Sequence, residues 1–303
     1  MAITFSTIQR LNMRLNKLIT IPAWAIILTL IFSNNSFAES YDLDTIYKKS
    51  LPVGNSSNPK DLKTFEKEAE NGNTNAQLLL GIAYYYGADK SEGINYDKAF
   101  NWTLRAAHQG DSNAMYFLGG IYLDGKAVLQ DYSESATWFE KSAELGNSSA
   151  QVQIGYMYME GIGVAQNYKK SFMWHQKAAA QGESRAENNL GWAYENGLGV
   201  ERNYKKAIDW YTKAAIKGDG LAQHNLADIY YKGEYARQDY KKAISWYTKA
   251  ANQNNGSAQY NLAGMYYLGE GTIKNLSKAR ELYSKSCDQG IKEGCQMYKM
   301  LKK

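Results

Sequence analysis

The residues of this chain best suited to hold a metal ion or to transfer a proton are its three histidines, His108, His175 and His224. A metal or acid–base site needs several such groups together, which on a helix means a spacing of three or four residues. No two histidines have this spacing, and no pattern of carboxylates joins them. His175 instead takes the position that Tyr211 and Tyr247 hold further along, and His224 that of Tyr260. We therefore expect these histidines to be isolated replacements of aromatic residues, and we expect no metal and no cofactor.

Two other patterns match catalytic or phosphate-binding motifs on paper. The loops "GIGV" at Gly161–Val164 and "GLGV" at Gly197–Val200 would need to follow a strand and open a helix to cradle a phosphate, but here each follows a predicted helix. "SNPK" at Ser57–Lys60 matches S-x-x-K, yet a proline lies inside it and no S-D-N or K-T-G accompanies it. We predict no catalytic residue.

One stretch of sequence occurs twice with almost no change. "KKAIDWYTKAA" at Lys205–Ala215 reappears as "KKAISWYTKAA" at Lys241–Ala251. Three series of residues keep the same step of 36, apart from one step of 38 between the first two members of the second and third series. They are Trp102, Trp138, Trp174, Trp210 and Trp246; Gly81, Gly119, Gly155, Gly191, Ala227 and Ala263; and Tyr84, Tyr122, Tyr158, Tyr194, Tyr230 and Tyr266. A period near 36 is typical of stacked pairs of helices.

The unit Ala186–Gly218 shows how one such pair is encoded. Its first helix carries a stripe of Ala186, Leu190, Gly191 and Tyr194, and "NGLGV" ends it, since glycine adopts the left-handed conformation of a C-cap. A second helix from about Tyr204 to Ala215 carries a stripe of Ala207, Trp210, Ala214 and Ala215. Small residues let the axes approach while Trp210 and Tyr194 fill the space between them, and each pair needs its neighbours to bury its stripe.

Composition agrees with an all-α chain. Hydrophobic residues make up 44% of it, which excludes wholesale disorder. The three prolines, Pro22, Pro52 and Pro59, all precede the first full repeat, and β-branched runs with period two are absent.

The N-terminal segment has the pattern of a signal peptide. Basic residues precede the apolar stretch Ile21–Phe32, and "SFA" at Ser36–Ala38 supplies small residues before a cleavage site, so residues 1–38 should be removed and Glu39 should begin the mature chain. An uncleaved anchor is the alternative, although the stretch is short of the roughly 20 residues that span a bilayer. Met13 is an alternative start. Cleavage removes three basic residues, which leaves 32 basic against 30 acidic residues and a net charge of +2. That charge favours neither nucleic acid nor an anionic membrane as partner.

The organisation that follows is a linker over residues 39–60 and a repeat array over residues 61–303. The array consists of a half unit (61–75), six units (76–294) and a truncated final helix (295–303).

The repeated pattern A-Q-x-N-L-A-x-x-Y-x-x-G-x-G, followed by Y-K-K-A-x-x-W-Y-x-K-A-A, resembles the Sel-1-like repeat, a relative of the tetratricopeptide repeat, over about Asp61–Met300. The resemblance implies an α-solenoid of stacked antiparallel helix pairs. It also implies a scaffold that holds other proteins in assemblies, and exported bacterial members are often linked to envelope maintenance or host interaction. Two units depart from the pattern, with an insertion around Gly87–Ile94 and with "GEYARQDY" at Gly233–Tyr240, whose loop conformation the pattern leaves open.

The two cysteines, Cys287 and Cys295, lie on consecutive helices across a turn at Gly290. Such a pair resembles the cysteine-rich Sel-1-like proteins of Helicobacter, which have been associated with penicillin binding and β-lactamase activity. That family carries a pair in most units whereas this chain has one. In an oxidising compartment the two thiols should join, which closes a small loop and stabilises the end of the array by roughly 2–3 kcal/mol.

The partner-binding surface is expected on the concave face, which the first helix of each unit lines. Positions four and then three residues apart share the face turned away from the second helix, and this groove begins apolar and aromatic before it becomes polar around Asn188–Asp228. Trp192 is the one tryptophan of the array outside the 36-residue series. The alternative is that these rings only pack between neighbouring units. The predicted contact residues are Tyr85, Tyr116, Tyr156, Asn188, Trp192, Glu195, His224, Asp228, Tyr231, Tyr260 and Tyr267.

We predict from this an exported scaffold, periplasmic in a Gram-negative bacterium, that binds envelope or cell-wall enzymes or host proteins and is not itself an enzyme. No nucleic acid, and no stable membrane anchor after cleavage, is expected. The alternatives are a β-lactamase-like or other cell-wall-acting hydrolase and a secreted effector that engages host proteins.

Overall fold

The computed structural model describes residues 62–87 and 93–302, and within these ranges all regular structure is α-helical. The predicted signal peptide, its cleavage before Glu39 and the linker to residue 60 lie outside the described residues. The described residues divide into two compact parts, of which one ends at Trp102 and the other begins at Thr103. The first compact part contains the helices α1 (Leu62–Glu70), α2 (Thr74–Tyr86) and α3 (Tyr96–His108). The end of α3 belongs to the second compact part.

The second compact part consists of consecutive helix pairs joined by short loops. Each first helix packs against the second helix that follows it, and each second helix packs against the next first helix. The first helices are α4 (Ser112–Asp124), α6 (Ser148–Glu160), α8 (Ser184–Asn196), α10 (Gly220–Lys232) and α12 (Gly256–Leu268). The second helices are α5 (Tyr132–Glu144), α7 (Tyr168–Ala180), α9 (Tyr204–Ile216), α11 (Tyr240–Asn252) and α13 (Leu276–Asp288), and α14 (Lys292–Leu301) ends the described chain. The predicted all-α solenoid of helix pairs is confirmed.

The helix ends follow from cap residues that recur in most of the repeats. Asp219 accepts a hydrogen bond from the amide of Ala222 at the start of α10, and Gly233 ends that helix with φ +71°. α8 differs, because its N-cap Glu183 makes no side-chain cap bond. The Glu183 carboxylate instead accepts from the Ser148 hydroxyl at 2.5 Å.

Small residues on the first helices face large rings on the second helices. A Cβ on Gly191 would lie 2.7 Å from the ring of Tyr211, which is fully buried. A Cβ on Gly155 would lie 2.8 Å from the imidazole of His175, in the same position one unit earlier. The predicted close approach of helices at the glycine series is thus explained by the ring that fills the space opposite each glycine.

The tryptophans of the 36-residue series lie nearer the surface than the sequence predicts. Trp138 and Trp174 are buried, but Trp210 and Trp246 are only half-buried, and the fully buried rings belong to the next residues, Tyr211 and Tyr247. A lysine three residues on lies over each indole, with Nζ 4.0–4.3 Å from the ring centroid. The ammonium group therefore covers the ring face by a cation–π contact.

One unit replaces a pair of neutral side chains by a charged pair. In the units on either side, Gln151 and Gln223 donate to backbone carbonyls at 3.1 and 3.0 Å and accept from Gln181 and Gln253. Glu187 takes the same position and is 4% exposed. Its Oε1 accepts from Lys217 Nζ at 2.7 Å, whereas its Oε2 is buried without a hydrogen-bond partner among the described residues. A carboxylate has no N–H to offer the backbone.

We expect the double variant Glu187→Gln/Lys217→Gln to be more stable than the wild type by about 1–2 kcal/mol, because it restores the neutral pair and its backbone hydrogen bond. Lys217→Gln alone should destabilise, since it leaves the buried carboxylate without a counter-charge. Urea unfolding of both single variants and the double variant forms a complete cycle. A double variant no more stable than the wild type would contradict this account.

The C-terminal end carries the predicted disulfide, because Cys287 and Cys295 are bonded and link α13 to α14. Every helix within residues 62–87 and 93–302 is too short or too polar to cross a membrane.

Candidate functional site

The site with the most distinctive chemistry is a small cavity beside α8 and α10, which we call the polar cleft. It has a volume of about 120 Å³. Its lining residues are Glu195, Asn225, Asp228, Ile229, Lys232, Glu234 and Tyr235. The polar cleft lies where the sequence predicts the groove to turn from aromatic to polar.

Asp228 is held by side chains from three helices. The hydroxyl of Tyr247 donates to its Oδ1, which also lies 3.3 Å from Asn261 Nδ2 and 3.6 Å from His224 Nε2. Its second oxygen lies 3.5 Å from Lys232 Nζ, one turn along α10. Burial, and next the Asp228 charge, raise the pKa of Tyr247 above its ordinary range, so the phenol stays protonated and can donate.

Among the described residues, Glu195 accepts a side-chain hydrogen bond from one hydroxyl and forms no ion pair. Tyr211 donates to its Oε2 at 2.7 Å, and burial raises the pKa of this tyrosine as well. Beside it, Asn225 of α10 donates to Asn188 of α8 at 3.0 Å, which ties the two first helices together. Neither Glu195 nor Glu234 forms an ion pair within residues 62–87 and 93–302.

Tyr235 takes the place of a glycine. Three other loops have a glycine at the equivalent position, namely Gly163, Gly199 and Gly271, all with positive φ and all close to the first residue of the preceding second helix. Tyr235 instead stacks on Tyr204, with ring centroids 3.7 Å apart and planes within 9°. It remains 37% exposed. The loop whose conformation the sequence left open thus ends its helix normally at Gly233 and then presents an aromatic wall.

Three of the predicted contact residues are buried and do not offer their side chains to a partner. Tyr85, Tyr116 and Asn188 are 5%, 3% and 7% exposed. Tyr85 contacts Tyr96 with ring centroids 5.3 Å apart, and Tyr116 contacts Phe139 at 5.4 Å. Both partner rings belong to the second helix of the same pair, so these positions face the paired helix and do not lie on a face turned away from it, as the sequence analysis expected.

The other predicted contact residues are half-buried, and they are Tyr156, Trp192, Glu195, His224, Asp228, Tyr231, Tyr260 and Tyr267. Glu195 and Asp228 line the polar cleft. Tyr231 donates to Glu270 at 3.0 Å and so lies against the next unit. Trp192 packs against the core cluster around Tyr211 and Ala214, so part of its ring contributes to packing.

Sequence reasoning missed the other cleft residues, which are Asn225, Ile229, Lys232, Glu234 and Tyr235. The available signal was Tyr235, which breaks a glycine position that three other loops keep. No group of three or more potential metal ligands occurs among the described residues. The arrangement offers fixed hydrogen-bond acceptors and negative charge beside an aromatic wall, which suits binding of a polar cation.

Comparison with known proteins gives a consistent result across the array. The Sel1 repeat model matches six consecutive segments, at residues 74–111, 112–147, 148–183, 184–219, 220–255 and 256–291. A structure of a protective antigen of uropathogenic Escherichia coli that displays an SLR fold is similar at 35% identity, with a TM-score of 0.72, over 78% of this chain and 50% of that one. A Sel1 repeat protein from Oxalobacter formigenes is similar at 32% identity, with a TM-score of 0.66, over 76% of this chain and 97% of that one.

A curated relative is much longer than this chain. The Arabidopsis thaliana ERAD-associated E3 ubiquitin-protein ligase component HRD3A is 34% identical over 80 residues, which are 26% of this chain and 11% of the plant protein. The likeness therefore concerns the repeats and does not extend to the rest of that protein.

Proposed function

Because the chain belongs to the Sel1 repeat family, we propose that it is a scaffold that binds another protein along the first helices of its repeats, with the polar cleft at the centre of the contact. Proteins of this family typically mediate protein–protein interactions. The observation that favours this surface is the polar cleft itself, where half-buried acidic and aromatic side chains adjoin the exposed face of α8 and α10. Aromatic side chains such as these are common anchors of protein interfaces.

The compartment in which it acts is part of the same proposal. The basic residues before Ile21–Phe32 and the small residues at Ser36–Ala38 support export, so we propose that the scaffold serves the periplasm and holds envelope proteins together.

Trp192→Ala tests the proposed surface. A partially exposed tryptophan at the centre of an interface contributes about 2 kcal/mol or more, so crosslinking capture of the partner from the cell envelope should fall by at least about tenfold. The melting temperature should fall only slightly, since Trp192 is partly exposed and lies at the margin of the core cluster.

Trp246→Ala is the matched control, because this tryptophan is also half-buried but lies on a second helix under Lys249. It should lower stability and leave capture intact. Equal loss of capture in both variants would place Trp192 in the core and remove it from the binding surface.

A further inference from the structure

Resting on the proposed function, we propose that the polar cleft receives an arginine side chain of the protein partner. Its lining carries three carboxylates, Glu195, Asp228 and Glu234, against one ammonium group, that of Lys232. Lys232 pairs with Asp228. The other two carboxylates have no cation within residues 62–87 and 93–302, so the cleft is complementary to a further positive charge.

The carboxylates are held in place before a ligand arrives. The hydroxyl of Tyr211 donates to Glu195 Oε2, and that of Tyr247 donates to Asp228 Oδ1. Both phenols are buried, at 0% and 1% exposure, and belong to the packed core of their units. Each phenol donates to one oxygen of its carboxylate, and no residue within 62–87 and 93–302 donates a hydrogen bond to Glu195 Oε1. Acceptors oriented in this way lose little freedom when a cation binds.

The aromatic wall favours a planar cation. Tyr235 lines the cleft and stacks on Tyr204, and Arg202 lies over the Tyr204 ring with its guanidinium carbon 5.3 Å from the centroid. This stack therefore already holds one guanidinium group of the chain itself. Guanidinium stacks on aromatic faces and donates to carboxylates in a fork, whereas an ammonium group does neither as well.

The size of the cleft and its place in the array agree with this ligand. A volume of 120 Å³ is several times the ~10–15 Å³ that one water needs, so a guanidinium group can enter. The equivalent position in other described loops is Ala127, Gly163, Gly199 or Gly271, none of which provides such a wall. Among the described loops, only the one in residues 220–255 carries an aromatic side chain at this position.

The test uses the full chain, ¹⁵N-labelled, with the peptide acetyl-Gly-Gly-Arg-Gly-Gly-amide as probe. The amides of Glu195, Asp228 and Tyr235 should shift and saturate, with a dissociation constant on the order of 1 mM for so small a ligand. The same peptide with citrulline, a neutral isostere of arginine, should bind at least about tenfold more weakly. Glu195→Gln should weaken the arginine peptide about five- to tenfold. This variant keeps an oxygen to accept from Tyr211.

Glu144→Gln is the matched control, because Glu144 is an exposed carboxylate on α5 outside the cleft, and this variant should bind as the wild type does.

Absent or unsaturable shifts, equal binding of the citrulline peptide, or no effect of Glu195→Gln would overturn the proposal. Free L-arginine that binds more tightly than the peptide would overturn the assignment to a protein partner. If Trp192-dependent capture succeeds while the peptide fails, the arginine proposal alone falls. If the peptide binds and no partner is captured, the proposed scaffold function falls.

Discussion

A chain with Gly163→Ala should lose about 3–5 kcal/mol of unfolding free energy, whereas Gly146→Ala should lose only about 1 kcal/mol. Both glycines have positive φ, +68° and +93°. A Cβ on Gly163 would lie 1.9 Å from the backbone carbonyl oxygen of Tyr132, but a Cβ on Gly146 would meet no atom within 4 Å. The difference between the variants therefore isolates the steric clash from the conformational strain that both share.

Urea unfolding with hydrogen exchange of α5, α6 and α7 measures the two losses and shows where they fall. The largest loss of protection should appear at the contact between the Gly163 loop and the start of α5. Equal losses in the two variants would mean that the loop moves away from Tyr132 at little cost.

The wild-type protein should lose about 3 kcal/mol of stability between pH 7 and pH 4 through His175 alone, and His175→Phe should remove that part of the acid response. The side chain is 2% exposed. Burial lowers the pKa of His175 from 6.5 to about 4, although a hydrogen bond to the Val152 backbone acts in the opposite direction. The unfolded chain therefore takes up its proton at a higher pH than the folded chain. The stabilisation is complete above pH 6.5 and is lost as the pH falls towards 4.

Phenylalanine is a fair replacement, because Phe139 holds the same position one unit earlier and is fully buried. The variant loses the hydrogen bond with Asn189, 3.0 Å from the imidazole, which lowers stability equally at every pH. The carboxylates of the chain affect both proteins alike. Thermal unfolding from pH 7 to pH 4 compares the slopes. Parallel curves for the wild type and His175→Phe would show that the imidazole does not resist protonation.

Most of the fold could be predicted from the sequence because one residue pattern occurs in six consecutive repeats. The glycine and alanine positions, the helix-ending glycines and the joined pair Cys287 and Cys295 all lie where local rules and the period place them. The tryptophans were less predictable. The period identifies a constant residue, but it does not show whether Trp210 or the neighbouring Tyr211 points into the core of the helix pair. A tryptophan near the surface can also be covered by a lysine side chain, as Trp210 is by Lys213.

The candidate site could be predicted only in part. A helix pattern shows that Asn188, Trp192 and Glu195 share one side of α8, but it does not show which neighbouring helices contact that side. Tyr211 of the paired helix α9 donates to Glu195, so this side does not turn away from α9. Asn188 is buried, since Asn225 of the next first helix reaches it. Tyr235 was missed because its partner Tyr204 belongs to the preceding unit, and no local rule joins residues 31 positions apart.

The contact between the loop of one repeat and the first residue of the preceding second helix bears on how such an array changes length. In three of these joints a glycine, Gly163, Gly199 or Gly271, meets the start of the preceding second helix. Excision of residues 220–255 would place Gly271 against Tyr204, a joint of the same kind, and excision of residues 184–219 would place Tyr235 against Tyr168, a tyrosine pair like the existing one. In-frame recombination between two repeats therefore yields compatible junctions, and gene-level gain or loss of whole units can alter the reach of the protein without redesign of its core.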